Sequence, residues 1–329
     1  MRATSSHTAL HSASLSFRPA LARCCLAAAW LFCASAHAGG ATNATNAPET
    51  PGTGVTLFAA GDIAECLKPP ASASAAAVTA AIVRRGLAGD AAAQVLTLGD
   101  NTYPIGMPRE FSDCYAPTWG RFKAVTHPSS GNHEYYTPSA NGYYGYFGDA
   151  AGAAPGFYYS FNIGRWHLLS LNSNIRGKVW EEQLAWVKKD LAQSEAACTL
   201  AYWHHPRFSS GGHGNNEDMQ PLWQLLQAAH ADVVLNGHDH DYERFAPQDS
   251  NGRRDDAHGI REFVVGTGGA RLTPLLFRKR NSEIVDNTTH GVLKLVLKDD
   301  GYEWEFLAEA GKTLADRGAA RCHQASISK

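Results

Sequence analysis

Short apolar runs separated by glycine-rich polar breaks set the rhythm of the chain. Residues 55–60 (VTLFAA) and the run Val95, Leu96, Thr97, Leu98 have the length and β-branched content of buried strands. Between them residues 74–85 are rich in alanine and stop at Gly86, so they read as a helix with a C-terminal glycine cap. Strand, helix, strand in this order predicts a parallel βαβ unit. Further strands are expected at 165–172, 200–203, 233–236, 262–265 and 293–297, and Tyr302, Trp304 and Phe306 alternate as a last one. Trp180, Leu184, Val187 and Leu191 recur at helical spacing, which predicts a surface helix over 178–193. Residues 217–229 carry Leu222, Leu225 and Leu226 on one helical side. The aromatic stretch 135–161 reads as a packed loop with short strands. Regular alternation of this kind makes the fold class α/β.

The strand ends carry the chemistry. Asp62 follows the first strand directly after Gly61, and Asp100 follows the second after Gly99, with Tyr103 three residues on. In open α/β sheets ligands bind beyond the carboxyl ends of the strands, which is where these residues stand. Gly131-Asn132-His133-Glu134 adds a neutral amide oxygen and an imidazole, and residues 200–203 end in His204-His205-Pro206. Residues 233–236 deliver Gly237-His238-Asp239-His240, where Gly237 is expected to let the backbone turn so that both histidines face one point. A glycine-rich loop, 209–216, holds His213. Asp62, Asp100, Asn132, His204, His238 and His240 form a set of carboxylate, amide and imidazole ligands without thiolate, which suits Fe, Mn and Zn rather than Ca or Mg alone. The set exceeds the needs of one ion, and two ions roughly 3.5–4 Å apart, bridged by one carboxylate, would use it fully as a clamp for a phosphoryl group. His167 and His323 read as structural or inert, and 266–269 (GTGG) lacks the spacing of a dinucleotide loop and reads as a tight turn.

Composition narrows the setting. With 329 residues and 44% hydrophobic content the chain can bury a full core, and one large domain is expected. The formal net charge of −2 gives no nucleic-acid-binding surface. Residues 1–38 contain Arg2, Arg18 and Arg23 without an acidic residue, then an apolar stretch from Leu26 to Ala34 and Ala36-His37-Ala38. This reads as a secretory signal, placing the mature protein in a periplasm or outside the cell with no membrane span left after its removal. Residues 39–54 read as a disordered leader, 55–310 as the catalytic domain and 311–329 as a tail. Cys66, Cys114, Cys198 and Cys322 remain after the signal and allow three connectivities. The favoured pairs are Cys66 with Cys114 and Cys198 with Cys322, the latter tying the tail to a strand; four buried free thiols are the alternative.

GDIA, GDNTY, GNHE, HHP and GHDHDYER occur in the order and rough spacing of the calcineurin-like metallophosphoesterases, and Tyr103 in GDNTY together with GHDHDYER resembles the purple acid phosphatase branch. The resemblance covers residues 56–309. It implies a four-layer α/β/β/α sandwich of two mixed sheets flanked by helices, with a dimetal site at the strand-end loops. It also implies that Asp62, Asp100, Tyr103 and His240 hold Fe(III), with Asp100 bridging to a divalent Fe, Zn or Mn held by Asn132, His204 and His238. His204 is assigned over His205 because the family pattern is His, any residue, Pro. The implied activity is an exported acid phosphatase in which metal-activated hydroxide attacks a small-molecule phosphate monoester, with His133 and His213 as catalytic groups. A phosphodiesterase or nucleotidase on the same core is the alternative, and a non-catalytic metal-holding binding protein the second. The chain departs from the branch at Gly214, where a second loop histidine is common, and it has the length of the small single-domain form.

Overall fold

In the computed structural model, residues 54–323 are described. Thirteen strands among them, in chain order, are β1 (Val55–Ala60), β2 (Gln94–Leu98), β3 (Thr126–Ser129), β4 (Tyr159–Ile163), β5 (Trp166–Ser170), β6 (Cys198–Tyr202), β7 (Val233–Asn236), β8 (Tyr242–Phe245), β9 (Arg261–Val265), β10 (Ser282–Asp286), β11 (Gly291–Lys298), β12 (Gly301–Ala308) and β13 (Arg317–Arg321). They form two mixed sheets, β13-β12-β11-β1-β2-β3 and β10-β8-β9-β7-β6-β5-β4. Each contains a parallel block: β1, β2 and β3 in the first, β5, β6, β7 and β9 in the second. Helices flank the sheets, giving the expected α/β/β/α class.

Period-two alternation explains the layers. Leu200 and Tyr202 of β6 join the cluster that includes Leu57, Leu96, Leu235 and Leu295 from both sheets. Ala201 and Trp203 point the other way, into a second cluster with Val187 and Leu222 of the helices Lys178–Gln193 and Gln220–Ala228. Each sheet is thus buried on the face that the sequence makes apolar.

Three expectations change. The first helix runs Ala75–Gly89, past Gly86, and ends at Asp90. Gly86 is there for contact: a Cβ on it would lie 2.0 Å from the Phe58 ring, so its role is to let helix and sheet approach rather than to cap. The stretch 135–161 is mostly short helical turns, the longest Asn141–Phe147, and only β4 at its end is a strand. Tyr143 and Phe147, one helical turn apart, are both buried, so tertiary packing of aromatics holds a helix that intrinsic propensity would not. The sheet continues beyond residue 310, because β13 pairs antiparallel with β12. The favoured cysteine pairing is the one found: Cys66 pairs with Cys114 and Cys198 with Cys322, with Cα separations of 5.9 and 5.5 Å, and Cys114 lies in the helical turn Phe111–Tyr115.

Candidate metal centre

Every candidate donor emerges from the carboxyl end of a parallel strand. Asp62 follows β1, Asp100 and Tyr103 follow β2, Asn132 and His133 follow β3, His204 follows β6, and His238 and His240 follow β7. The chain turns sharply there. Asp62, Asp100 and His238 adopt φ values of 58°, 48° and 73°, left-handed backbone that these side chains rarely take and that the surrounding structure must enforce. At the last turn the positive φ falls on His238 and not on Gly237. Gly237 is needed for space instead: a Cβ there would lie 2.5 Å from Asp62 Oδ2.

The donors meet in two sets. The Tyr103 hydroxyl oxygen lies 2.9 Å from Asp62 Oδ1, 3.1 Å from Asp100 Oδ2 and 3.1 Å from His240 Nε2. His204 Nε2 lies 3.3 Å from Asp100 Oδ2, 3.0 Å from Asn132 Oδ1 and 3.2 Å from His238 Nδ1. Asp100 Oδ2 belongs to both. Oxygens of Asp62 and Asp100 and a nitrogen of His204 all fall within 4.8 Å of one another. The ring nitrogens facing away are engaged by backbone carbonyls, His204 Nδ1 donating to Leu98 at 2.9 Å and His240 Nδ1 to Arg271 at 2.7 Å. This fixes the tautomer and aims both Nε2 lone pairs inward, as metal-ligating histidines require. His205 stays outside, its Nδ1 on Ser173 Oγ at 2.7 Å.

Electrostatics favour a cation at the centre. Burial works against charge on His204, yet Asp100 beside it outweighs that and raises its pKa to about 9. His240 rises to about 9 against the same opposition, through Asp62. Burial, Asp100 and Asp62 push the Tyr103 phenol well above its ordinary range. Two carboxylates, a phenol, an amide oxygen and three imidazoles therefore converge on one point, a set of hard oxygens and borderline nitrogens of the kind that would suit Fe, Mn or Zn.

A second layer of buried acids holds the donor loops. Glu134 accepts from the backbone N–H groups of Asp100 at 3.1 Å, Asn101 at 2.7 Å and Gly131 at 2.6 Å. Asp239 binds His213 and accepts from Ser209 Oγ at 2.5 Å. Glu243 accepts from Ser210 N at 2.8 Å, and Glu262 from Arg207 N at 2.9 Å. Sequence reasoning passed over these four acids, although the Glu of GNHE and the acids of GHDHDYER stand inside its own motifs. The 266–269 turn closes the floor: Gly268 N donates to Gly61 O at 2.9 Å and Ala270 N to Asp62 O at 2.8 Å.

His133 and His213 lie at the mouth. The His133 ring sits between Tyr103 and Tyr136, its centroid 4.4 and 4.9 Å from theirs. Its Nδ1 donates to Pro104 O at 2.5 Å. His213 is half exposed, and its ring packs against that of His238 with centroids 4.1 Å apart and planes tilted by 32°. A separate cavity of about 850 Å³, lined by Phe58, Arg85, Lys294, Glu305 and Asp316 among others, holds none of the donors.

Fold and donor geometry together define a metallophosphoesterase. Residues 57–242 match the family described as calcineurin-like phosphoesterase, and the chain belongs to that family. It is similar to purple acid phosphatase 15 of Arabidopsis thaliana, 33% identical over 172 residues covering 46% of this chain and 32% of the relative. Purple acid phosphatase 21 of the same plant is 27% identical over 250 residues, covering 65% and 57%. The chain thus spans between a third and somewhat more than half the length of these relatives. Among solved structures, purple acid phosphatase PPD1 from yellow lupin (Lupinus luteus) seeds shares the fold with a TM-score of 0.62 at 20% identity, over 81% of this chain and 53% of that one.

Proposed function

We propose that the chain is an exported dimetal phosphatase of the purple acid phosphatase type, hydrolysing small-molecule phosphate monoesters. The observation that carries this reading is the sharing of Asp100 Oδ2 between two complete donor sets. Asp62, Asp100, Tyr103 and His240 would hold Fe(III); Asp100, Asn132, His204 and His238 would hold a divalent Fe, Zn or Mn. Such a pair supplies Lewis-acid polarisation of phosphoryl oxygens and acidifies water enough for nucleophilic attack at low pH.

The chain's own residues do the rest. His133, with Nδ1 committed to Pro104, has Nε2 left to bond a phosphoryl oxygen. His213, with Nδ1 committed to Asp239, has Nε2 left to pass its proton to the leaving alcohol oxygen as the P–O bond breaks. Asp239 raises the His213 pKa through that hydrogen bond, against burial, and so keeps the proton available in mild acid. Gly214 leaves this loop with a single histidine, so His213 carries the acid role alone.

The reading as an exported protein draws on residues 1–38, which lie outside the described residues, and on the pairing of all four remaining cysteines, which suits an oxidising compartment. In the proposed organisation the catalytic domain follows that signal and the leader. The test is hydrolysis of an aryl phosphate monoester beside the matching diester from acidic to neutral pH, with metal analysis of the same sample. Monoester preference in acid with two metals per chain is expected. Diester preference would move the activity to a phosphodiesterase, and no turnover at full metal loading would leave a binding protein.

A further inference from the structure

Residues 271–280 (RLTPLLFRKR) form a loop without helix or strand that carries Arg271, Arg278, Lys279 and Arg280 and no acidic residue, in a chain whose formal net charge is −2. Leu276 and Phe277 at its tip are 60% and 81% exposed. The loop is nevertheless held firmly at its stem. Thr273 N donates to His240 O at 3.2 Å, Leu276 N to Ser210 O at 3.2 Å and Lys279 N to Ser210 Oγ at 2.8 Å. Arg278 Nη2 bonds the carbonyls of Ser282 and Glu283 at 2.9 and 2.7 Å. A stem fixed at this many points keeps two large apolar side chains in water although the chain has a well-filled core to put them in.

We propose that this loop is a docking surface for an anionic lipid bilayer. Leu276 and Phe277 would enter the headgroup boundary while Arg271, Arg278, Lys279 and Arg280 meet the negative surface, the pairing of apolar tip and basic flank that peripheral membrane contacts use. Among the described residues no helix is long and apolar enough to cross a membrane, so the contact proposed is with the bilayer surface. Charge complementarity selects the occupant: an uncharged bilayer would engage the two apolar side chains and leave the positive charge of the loop without a counter-charge. The loop also contacts the segment carrying His213 through Ser210, so docking would set the mouth of the metal centre against the membrane face.

Co-sedimentation of the full chain with vesicles containing phosphatidylglycerol, beside vesicles of phosphatidylcholine alone, tests this. Binding to the anionic vesicles is expected, weakened by salt, and weakened about tenfold or more in the double variant Leu276→Ser/Phe277→Ser. The apolar stretch from Leu26 to Ala34 is common to both proteins, so the difference between them reports on the loop. Both tip residues are exposed, and an unchanged thermal midpoint in the variant verifies the fold. Equal binding by variant and parent, or no binding by either, would overturn the proposal. So would loss of binding only in Arg278→Gln/Lys279→Gln/Arg280→Gln with displacement by soluble polyphosphate, which would make the loop a site for dissolved polyanions.

Discussion

Asp239 Oδ1 accepts both the backbone N–H and the ring Nδ1–H of His213, each at 2.9 Å. One carboxylate thus fixes the position, the tautomer and the charge of the imidazole at the mouth of the site. Asp239→Asn keeps the shape and removes the charge. It is expected to lower kcat by about 10–100-fold with a smaller effect on KM, the scale on which such supporting groups act. The hydrogen bond raises the His213 pKa, so its loss moves the alkaline limb of the pH–rate profile to lower pH. An unmoved limb would take the general-acid role away from His213.

Asp100 is the one donor common to both sets. Asp100→Ala is expected to remove both ions, read by metal analysis of the purified protein; retention of one full equivalent would show that the sets are independent. Tyr103→Phe is the sharper test of metal identity. If the phenolate binds Fe(III), the variant loses a visible charge-transfer band while the fold survives, because the Tyr103 ring keeps its packing and only the hydroxyl is removed.

Glu134 sits under the same loops with no exposure and three backbone N–H groups directed at it. Burial and the neighbouring Asp100 charge raise its pKa to about 8. Glu134→Ala strands those three donors and is expected to cost about 3 kcal/mol or more in urea unfolding. Glu134→Gln turns an amide N–H toward an N–H, so it should also destabilise, though by less. A loss under 1 kcal/mol for both would mean that water replaces the carboxylate.

The candidate donor cluster was legible in the sequence because each of its residues stands just beyond an apolar run, where a parallel strand hands its next residue to a loop. His204 and His205 were separable only through the family pattern, since both follow the same strand. The structure brings His204 into the cluster, against Asp100, Asn132 and His238, and leaves His205 on Ser173. The supporting acids were hidden by the opposite circumstance: a buried Glu that accepts backbone N–H groups has the same local signature as a solvated one. Edge elements were hidden too. Residues 317–321 (RGAAR) carry little hydrophobic signal, and β13 exists because β12 offers a ladder to pair with. Within 135–161 helical turns replaced the expected strands because spacing of Tyr143 and Phe147 matters only once a core exists to receive them.

The tail supplies a pH-dependent term that needs no metal. His323 N donates to Asp232 Oδ1 at 2.6 Å and its ring Nδ1 lies 3.2 Å from the same oxygen, while Thr199 N donates to Asp232 Oδ2 at 2.8 Å. With the Cys198–Cys322 bond this pins the last described residues to β6. The hydrogen bond to Asp232 raises the His323 pKa above 6.5, against partial burial. A pKa raised by folding means that the native state holds the proton more tightly than the unfolded chain. The stabilisation is therefore complete below about pH 6.5 and disappears as pH rises through the higher native value. His323→Gln should lower stability by a few tenths to about 1 kcal/mol in acid, a range already reduced for solvent screening, and the gap to the parent should close as pH rises. Thermal midpoints of the two proteins across that range decide it: a gap that is constant with pH assigns the contribution to the neutral hydrogen bond, and one that widens with pH contradicts the ion pair outright.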